Sequence, residues 1–460
     1  MKKVFKEVGS LDKRCYEKFF LSEDILMEHA ADSLGYLIKN LLEKEKKVFI
    51  LCGPGNNGAD GIACGRILSG EYDVSIMLPF GAKSKMAKLQ LQRYEAVGGV
   101  IVEEVAEADL YVDALFGSGL RRELDEFSCG IINRLNEKNA IKISCDIPSG
   151  IGDDFISRTV FKADYTISMG AYKLPLFGDL SKDFVGEISV ADLGVSKNRY
   201  EKESDIYLLE ESDLSLPKRD KKNTNKGTFG HTSVIAGEKG GAAELCARAA
   251  FVFGSGLVSI VSEHDMLLPP YLMKSKEIPK NTTSLAVGMG LGTRDIDKMI
   301  LKFDKPMVLD ADIFYKPVIK ELLATKESLV LTPHPKEFSS LLKLCDISDV
   351  DVDEIQKNRF KWVELFVEKY PKTTLVLKGA NTLIASEKKF YINMLGNSSL
   401  SKGGSGDVLG GMIGALLSQG YSAKDSAINA VIAHSLSAKN FKGNGYSLGP
   451  LDICEGLKWL

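Results

Sequence analysis

The chain has 460 residues, a hydrophobic fraction of 44%, a charged fraction of 26% and a formal charge of −3. Its length exceeds what one ordinary core organises, so roughly two to three domains are expected, and its composition is that of a soluble globular protein. The near-neutral charge excludes a globally basic nucleic-acid binder and leaves small anionic ligands open. The eight cysteines (Cys15, Cys52, Cys64, Cys129, Cys145, Cys246, Cys345, Cys454) form no C-x-x-C pair, and several lie in apolar runs. They read as reduced, buried thiols rather than a disulfide framework or a zinc site. No signal-peptide core follows the charges at Lys2, Lys3, Lys6 and Glu7, and no segment is apolar over bilayer length. The expectation is a cytoplasmic protein with neither a membrane nor a nucleic-acid partner.

From Ser22 to Lys44, Met27, Ala30, Leu34, Leu37, Ile38, Leu41 and Leu42 recur at helical spacing, with Ser22 as N-cap and Glu23 and Asp24 in the first turn. His29 is expected on or near the packed face as a core or partly buried histidine rather than a catalytic one. A strand at Val48–Leu51 runs into the turn Cys52–Gly61 and a helix reaching about Leu68. Gly53, Gly55 and Gly58 satisfy G-x-G-x-x-G, a weak dinucleotide signal by itself. Two details depart from the ordinary version. The next strand, Val74–Leu78, ends without an acid to hold a ribose, and Asn56, Asn57 and Asp60 put polar side chains into the turn. The rhythm continues with strands at Leu110–Leu115 and Ile141–Asp146, followed by the loops Phe116–Glu123 and Ile147–Gly150. Loops leaving the carboxyl ends of parallel strands are where an open α/β sheet gathers its ligand. For any one acid there, a cap or turn role is the default.

The pieces MEHAA, CGPGNNGADG, VDALFGSGLRRE, SCDIPSG, Ala163–Lys173 and Gly186–Gly194, in this order over residues 10 to 195, resemble the YjeF N-terminal family, the NAD(P)H-hydrate epimerases. The resemblance implies a Rossmann-like three-layer α/β/α domain. It also implies that Asn56, Asn57, Gly58, Ala59 and Asp60, with Gly117, Ser118, Gly119, Leu120, Arg121, Arg122 and Glu123, cradle the substrate's phosphates and ribose. Asp146 would contact the damaged nicotinamide as a catalytic residue. Asn57, Asp113 and Ser149 would offer oxygens to a potassium ion, as a hard cation requires. Ala59 stands where the family usually has glycine.

Between Glu201 and Thr228 the apolar pattern thins, and residues 217–227 are basic and turn-rich. A boundary is expected near Asp213, giving domains 1–212 and 213–460, with the basic run as a solvated linker that also lends a cation to a phosphate ligand. The β/α alternation then restarts: a strand at Thr232–Gly237, a helix at about Ala242–Phe253, and strands at Leu257–Val261, Ala286–Gly288, Met307–Asp312, Leu329–Thr332 and Leu375–Lys378. Near-continuous apolar strands between helices describe a second sheet, mostly parallel and covered on both faces.

Leu395–Leu417, LGNSSLSKGGSGDVLGGMIGALL, is a polar loop, a glycine turn and a buried helix, so Gly403–Gly406 sit where unpaired amides and the positive dipole end favour a phosphate. Asp407 falls in the first turn, where those amides are expected to lower its pKa, and it suits a base in phosphoryl transfer. The alternative is an Asp that only caps its helix. The loop is not a Walker A motif, because Ser401 precedes and Gly403 follows Lys402.

With KGTFGHTSVIAG, GGAAELCARAA, VGMGLG, VLDAD, LTPHPKEF and LVLKGANT, this stretch resembles the ribokinase-like fold and, more narrowly, the ADP/ATP-dependent NAD(P)H-hydrate dehydratases of the YjeF C-terminal family. The departures are Met289, Lys336 and Phe314-Tyr315. The resemblance implies a second α/β/α domain in which Ala242, Gly290, His334 and Asp407 contact the hydrate. Lys378, Gly379, Ala380, Asn381 and Thr382, with Gly403, Gly404, Ser405 and Gly406, would hold the nucleotide, ADP or ATP with magnesium. The expected protein is a bifunctional repair enzyme acting on NADHX and NADPHX, with ADP the expected donor and a homo-oligomer the expected assembly. The rivals are a fused ribokinase-type small-molecule kinase, which would leave the phosphate on its product, and a dinucleotide-binding module without epimerase activity.

Overall fold

The structure, a computed structural model, describes residues 1–460. It divides into two compact units, Lys3–Ser204 and Asp205–Leu460, with Met1 and Lys2 belonging to the second. The division falls upstream of the boundary expected near Asp213, because Ile206–Leu208 is already a strand of the second unit's sheet, paired in parallel with Lys389–Asn393.

The first unit is built on seven parallel strands: β1 (Lys47–Cys52), β2 (Asp73–Met77), β3 (Val100–Val102), β4 (Leu110–Ala114), β5 (Ile141–Cys145), β6 (Tyr165–Met169) and β7 (Glu187–Ala191). Their spatial order is β3-β2-β1-β4-β5-β6-β7. Alternation decides the layers. Val48, Ile50 and Cys52 of β1 join one buried cluster with Ala30, Leu34 and Ile38, whereas Phe49 and Leu51 join another with Tyr111 and Ile132. Both faces of β1 are therefore covered, which is why Val48–Cys52 reads as an unbroken apolar run. Each fully buried aliphatic side chain contributes ~1.5–3 kcal/mol.

Helices α1 (Gly9–Lys18), α2 (Glu23–Leu41) and α3 (Asn56–Leu68) frame the carboxyl end of the sheet. Ser22 caps α2, its hydroxyl accepting from the Ile25 amide. His29 is not in the core: it is exposed, its ring lying against Gly194. The order of winding reverses between β1 and β4, so their two following loops flank the crevice where such sheets bind ligands.

The second unit's strands are β8 (Ile206–Leu208), β9 (His231–Ile235), β10 (Leu257–Val261), β11 (Met273–Ser275), β12 (Ser284–Val287), β13 (Met307–Leu309), β14 (Leu329–Leu331), β15 (Thr373–Leu377), β16 (Thr382–Ser386) and β17 (Lys389–Asn393). They lie in the order β11-β10-β9-β12-β13-β14-β15-β16-β17-β8. Pairing is parallel from β11 to β15, and then a hairpin adds β16 and β17 antiparallel. The buried residues Val234, Ala286, Val308, Val330 and Val376 face one cluster with α4 (Gly240–Val252), α6 (Ser405–Ser418) and α7 (Ala423–Lys439). Their neighbours Leu285, Leu309, Leu331 and Leu375 are equally buried on the opposite face.

Helices α4 and α6 approach backbone to backbone. A Cβ at Gly411 would strike the Cys246 carbonyl, so the GGMIGA sequence and the alanines of α4 are a packing requirement. The basic segment is not a free linker: Arg219 lies over the Phe229 ring at 4.2 Å and donates to the Gly254 carbonyl at 3.1 Å. All eight cysteines are buried and unpaired. No helix is long and apolar enough to cross a membrane.

Candidate functional site

In the first unit, a cavity of about 470 Å³ opens at the β1/β4 switch point. Asn56, Asn57, Asp60, Gly117, Ser118, Gly119, Leu120 and Asp146 line it. Gly58 packs on Gly53, and the Ala59 methyl is buried with Met27, Met86 and Ala87, so neither of these two residues lines the cavity. Arg121, Arg122 and Glu123 are exposed outside the cavity wall, and Arg121 is paired with Asp153.

Asp146 follows β5 with φ +74°, a left-handed conformation that Asp tolerates better than most residues. Its carboxylate accepts from the Ser118 amide at 3.0 Å, the Met169 amide at 3.2 Å and the Lys173 ammonium, all in a buried setting. Burial pushes its pKa up, but Lys173 and the two amides outweigh this and hold it below the ordinary carboxylate range. Sequence reasoning missed Lys173, the only cation in the cavity wall, together with Asp12 and Tyr16. The signal available was a lysine closing the otherwise apolar segment Ala171–Lys173.

Asp113 and Ser149 meet at the base of the same loops. The Ser149 amide and hydroxyl each donate to Asp113 at 2.7 Å, and burial raises the Asp113 pKa to about 6 against these hydrogen bonds. The Ser149 hydroxyl also accepts from the Phe116 amide at 2.9 Å, tying the β4 and β5 loops together. Asn57 is placed nearby: the Cβ position of Gly117 is 3.1 Å from its amide oxygen and 2.7 Å from Asp146. Both polar atoms of the Asn57 amide are buried and without a hydrogen-bond partner. An orphaned amide costs about 1–3 kcal/mol and fits a ligand group or hard cation that accepts its oxygen.

In the second unit, the carboxyl ends of β12 to β15 meet the amino ends of α4 and α6. Gly404 caps α6 at φ +90°, packed on Leu245 and Pro450, so a side chain there would be both strained and obstructed. Behind the turn, Ser405 is 3.2 Å from the buried His434 ring, whose pKa burial lowers to about 4. His434 is therefore a neutral strut.

Lys378 turns inward from the end of β15 onto Asp310, at 2.7 Å, with Glu337 at 3.9 Å. The Cβ position of Gly406 is 3.3 Å from the Lys378 ammonium, so this buried charge cluster abuts the glycine turn. Gly379 and Ala380 are exposed at the tip of the β15–β16 hairpin, whereas Asn381 is buried and Thr382 begins β16. Buried Arg359 donates to the carbonyls of Leu377, Lys378 and Asn381, fixing the hairpin that carries Lys378.

Asp407 departs from expectation. Its pKa is raised to about 7, through burial first and then the neighbouring Asp310, with Lys378 opposing. The helix terminus does not lower it as the sequence suggested, because the amides are local and the Asp310 charge and desolvation are stronger. His334 caps α5 (Pro335–Leu344) in a reciprocal box with Glu337, whose pKa burial raises to about 7. Gly290 lies against α4, its Cβ position 3.1 Å from that of Ala242, so these two expected contacts are neighbours. Asp310 and Glu337 were missed as site residues, although VLDAD and LTPHPKEF contain them. A base poised near neutrality beside a lysine and an amide-rich turn can take a proton from a hydroxyl while phosphate charge is held.

Two family models match the chain: a YjeF-related protein N-terminus over residues 23–174, and an NAD(P)H-hydrate dehydratase over residues 232–457. The bifunctional NAD(P)H-hydrate repair enzyme of Helicobacter pylori is 44% identical over 475 residues, covering 100% of each chain. That of Coxiella burnetii is 31% identical, covering 94% of this chain and 93% of its own. The solved ADP/ATP-dependent NAD(P)H-hydrate dehydratase from Bacillus subtilis, co-crystallised with ATP and Mg2+, is 27% identical with a TM-score of 0.48, covering 55% of this chain and 96% of its own. The chain belongs to the family of bifunctional NAD(P)H-hydrate repair enzymes.

Proposed function

We propose that this protein repairs hydrated nicotinamide dinucleotides, its first unit interconverting R- and S-NAD(P)HX and its second dehydrating the S form at the expense of a nucleotide. The observation that supports the second step is Asp407, raised to about 7 at a helix amino terminus beside the Lys378–Asp310 pair. Hydroxide is a poor leaving group and phosphate a good one. Asp407 takes the hydroxyl proton, the terminal phosphoryl group passes to the oxygen, and elimination of phosphate, with the proton of the adjacent ring carbon lost to water, restores the dihydropyridine. The amides of Gly403–Gly406 stabilise the charge on the transferred group, Lys378 balances the nearby carboxylates, and Ala242, Gly290 and His334 line the hydrate's side.

Magnesium would arrive largely on the nucleotide's phosphates, neutralising their charge. In the first unit, potassium would be held by Asn57, Asp113 and Ser149, a reading supported by the orphaned Asn57 amide. Asn56 and Gly117–Leu120 would face the dinucleotide's phosphates and ribose, with Asp146 near the damaged ring. ADP is the preferred donor, and the enzyme works in the cytoplasm as a homo-oligomer. The deciding experiment incubates mixed R and S hydrates with ADP or ATP and follows both the absorbance of regenerated NADH and free phosphate. Accumulation of a phosphorylated product without NADH would defeat the proposal.

A further inference from the structure

Two carboxyl groups line the first unit's cavity in opposite circumstances. Asp146 is saturated: two backbone amides and Lys173 occupy its oxygens, and its backbone is locked at φ +74°. Asp60, on α3, is only 9% exposed and faces the same cavity, yet its carboxyl makes no hydrogen bond and no ion pair within the protein. Around it stand Asp12 and Tyr16 from α1, Glu23 from α2, Asp146 and Lys173 from the strand ends, and the buried thiols of Cys64 and Cys145. Asp12 is itself held by the Tyr200 hydroxyl at 2.7 Å. A carboxyl already neutralised and fully bonded is a poor proton carrier. One that is buried, unbonded and open to the ligand space is a good one. Pairs of acids whose surroundings diverge in this way mark out acid and counter-charge roles.

We propose that Asp60, rather than Asp146, is the carboxyl that exchanges a proton with the hydrate during epimerisation, with Asp146 and Lys173 as a fixed, charge-balanced pair that positions the ring. This rests on the reading of the cavity as the epimerase site. The hydrate's hydroxyl is on a carbon bonded to the ring nitrogen, so inverting that carbon requires one of its bonds to break. The nitrogen lone pair forms the C=N bond as the C–O bond breaks, and the oxygen leaves as water with the Asp60 proton, leaving a carboxylate. Water then adds to the opposite face of the planar cation, the C=N electrons return to nitrogen, and the released proton returns through cavity water to Asp60. Nothing is oxidised or reduced. Burial pushes the Asp60 pKa well above the usual carboxylate range, Asp146 and Asp12 add to this and Lys173 opposes it, which favours the acid form.

The test compares the parent, Asp60→Asn, Asp60→Glu and Asp146→Asn on resolved R-NADPHX, following the R to S ratio across pH. A parent that leaves the ratio unchanged defeats the epimerase reading itself. With an active parent, Asp60→Asn should keep its thermal transition and a KM within a few-fold while kcat falls ~10²- to 10⁴-fold, and Asp60→Glu should recover part of the loss. The parent's rate should decline as rising pH removes the Asp60 proton, and the residual rate of Asp60→Asn should lack that decline. Asp60→Asn within a few-fold of the parent, with the same pH profile, overturns the proposal. If Asp60→Asn does not fold, a parent rate that stays level or rises into the alkaline range overturns it equally.

Discussion

Replacing Asp407 by Asn keeps the side chain's size and removes its charge and basicity, which leads to two linked outcomes. The first is catalytic: loss of a general base costs ~10²- to 10⁴-fold, so NADH regeneration from pure S-NADHX should nearly vanish. In the parent, the base form is the active one, so dehydratase rate should rise with pH through about 7 and level off above it. The second outcome concerns stability. The Asp407 pKa is raised in the folded protein from an ordinary 3.8 to about 7. Its favourable linkage is therefore complete below the unfolded value and is lost as pH rises through the folded one. The full difference corresponds to ~4 kcal/mol between charge states, and solvent screening at this half-buried group reduces it to ~1–2 kcal/mol. At ~pH 8 the Asn variant should thus unfold a few degrees higher than the parent, with the gain disappearing below ~pH 4. Paired thermal scans and single-substrate time courses read both. A variant that keeps dehydratase activity within a few-fold, or is less stable than the parent at alkaline pH, would refute this account of Asp407.

Asp310→Asn should weaken the half-buried Lys378 pairing, leaving Glu337 as its remaining carboxylate, at a cost of ~1.5–3 kcal/mol, and should move the dehydratase pH limb to lower values, since the Asp310 charge helps raise Asp407. Denaturant melts and the pH profile of the variant check this. Asp146→Asn should abolish epimerisation, by leaving Lys173 unbalanced, while pure S hydrate is still dehydrated at near-parent rate; loss of both activities in a folded variant would be evidence against separate sites. Epimerisation should slow several-fold on exchange of potassium for a larger organic cation, and equal rates in both buffers would remove the ion from Asn57, Asp113 and Ser149. Separating the chain between Ser204 and Asp205 should give two soluble pieces, whereas a cut at Asp213 should leave the second piece without β8, exposing the Lys389–Asn393 strand it pairs with and favouring aggregation, as light scattering would show.

Periodicity and turn chemistry made the two β/α series legible in the sequence alone. Continuous apolar runs such as Val48–Leu51 are what a strand covered on both faces requires, and Ser22 before an amphipathic run marks a helix start. Glycine-rich turns after those strands pointed to Asn57 and Gly117 as candidates, because parallel sheets collect their ligands at strand ends, and the glycine turn before a buried helix pointed to Gly403–Gly406. The tertiary structure alone decided which charges meet. Lys173 and Asp146 are 27 residues apart in sequence and Lys378 and Asp310 68 apart, and each pair forms only when separate strands deliver their ends to one place. The electrostatics followed the same rule. A first-turn Asp has a depressed pKa by local chemistry, but burial beside Asp310 raises Asp407 to about 7, a term set by neighbours from distant strands. The domain boundary was displaced for a similar reason: Ile206–Leu208 is too short to announce itself as a strand, and becomes one by pairing with Lys389–Asn393 far along the chain.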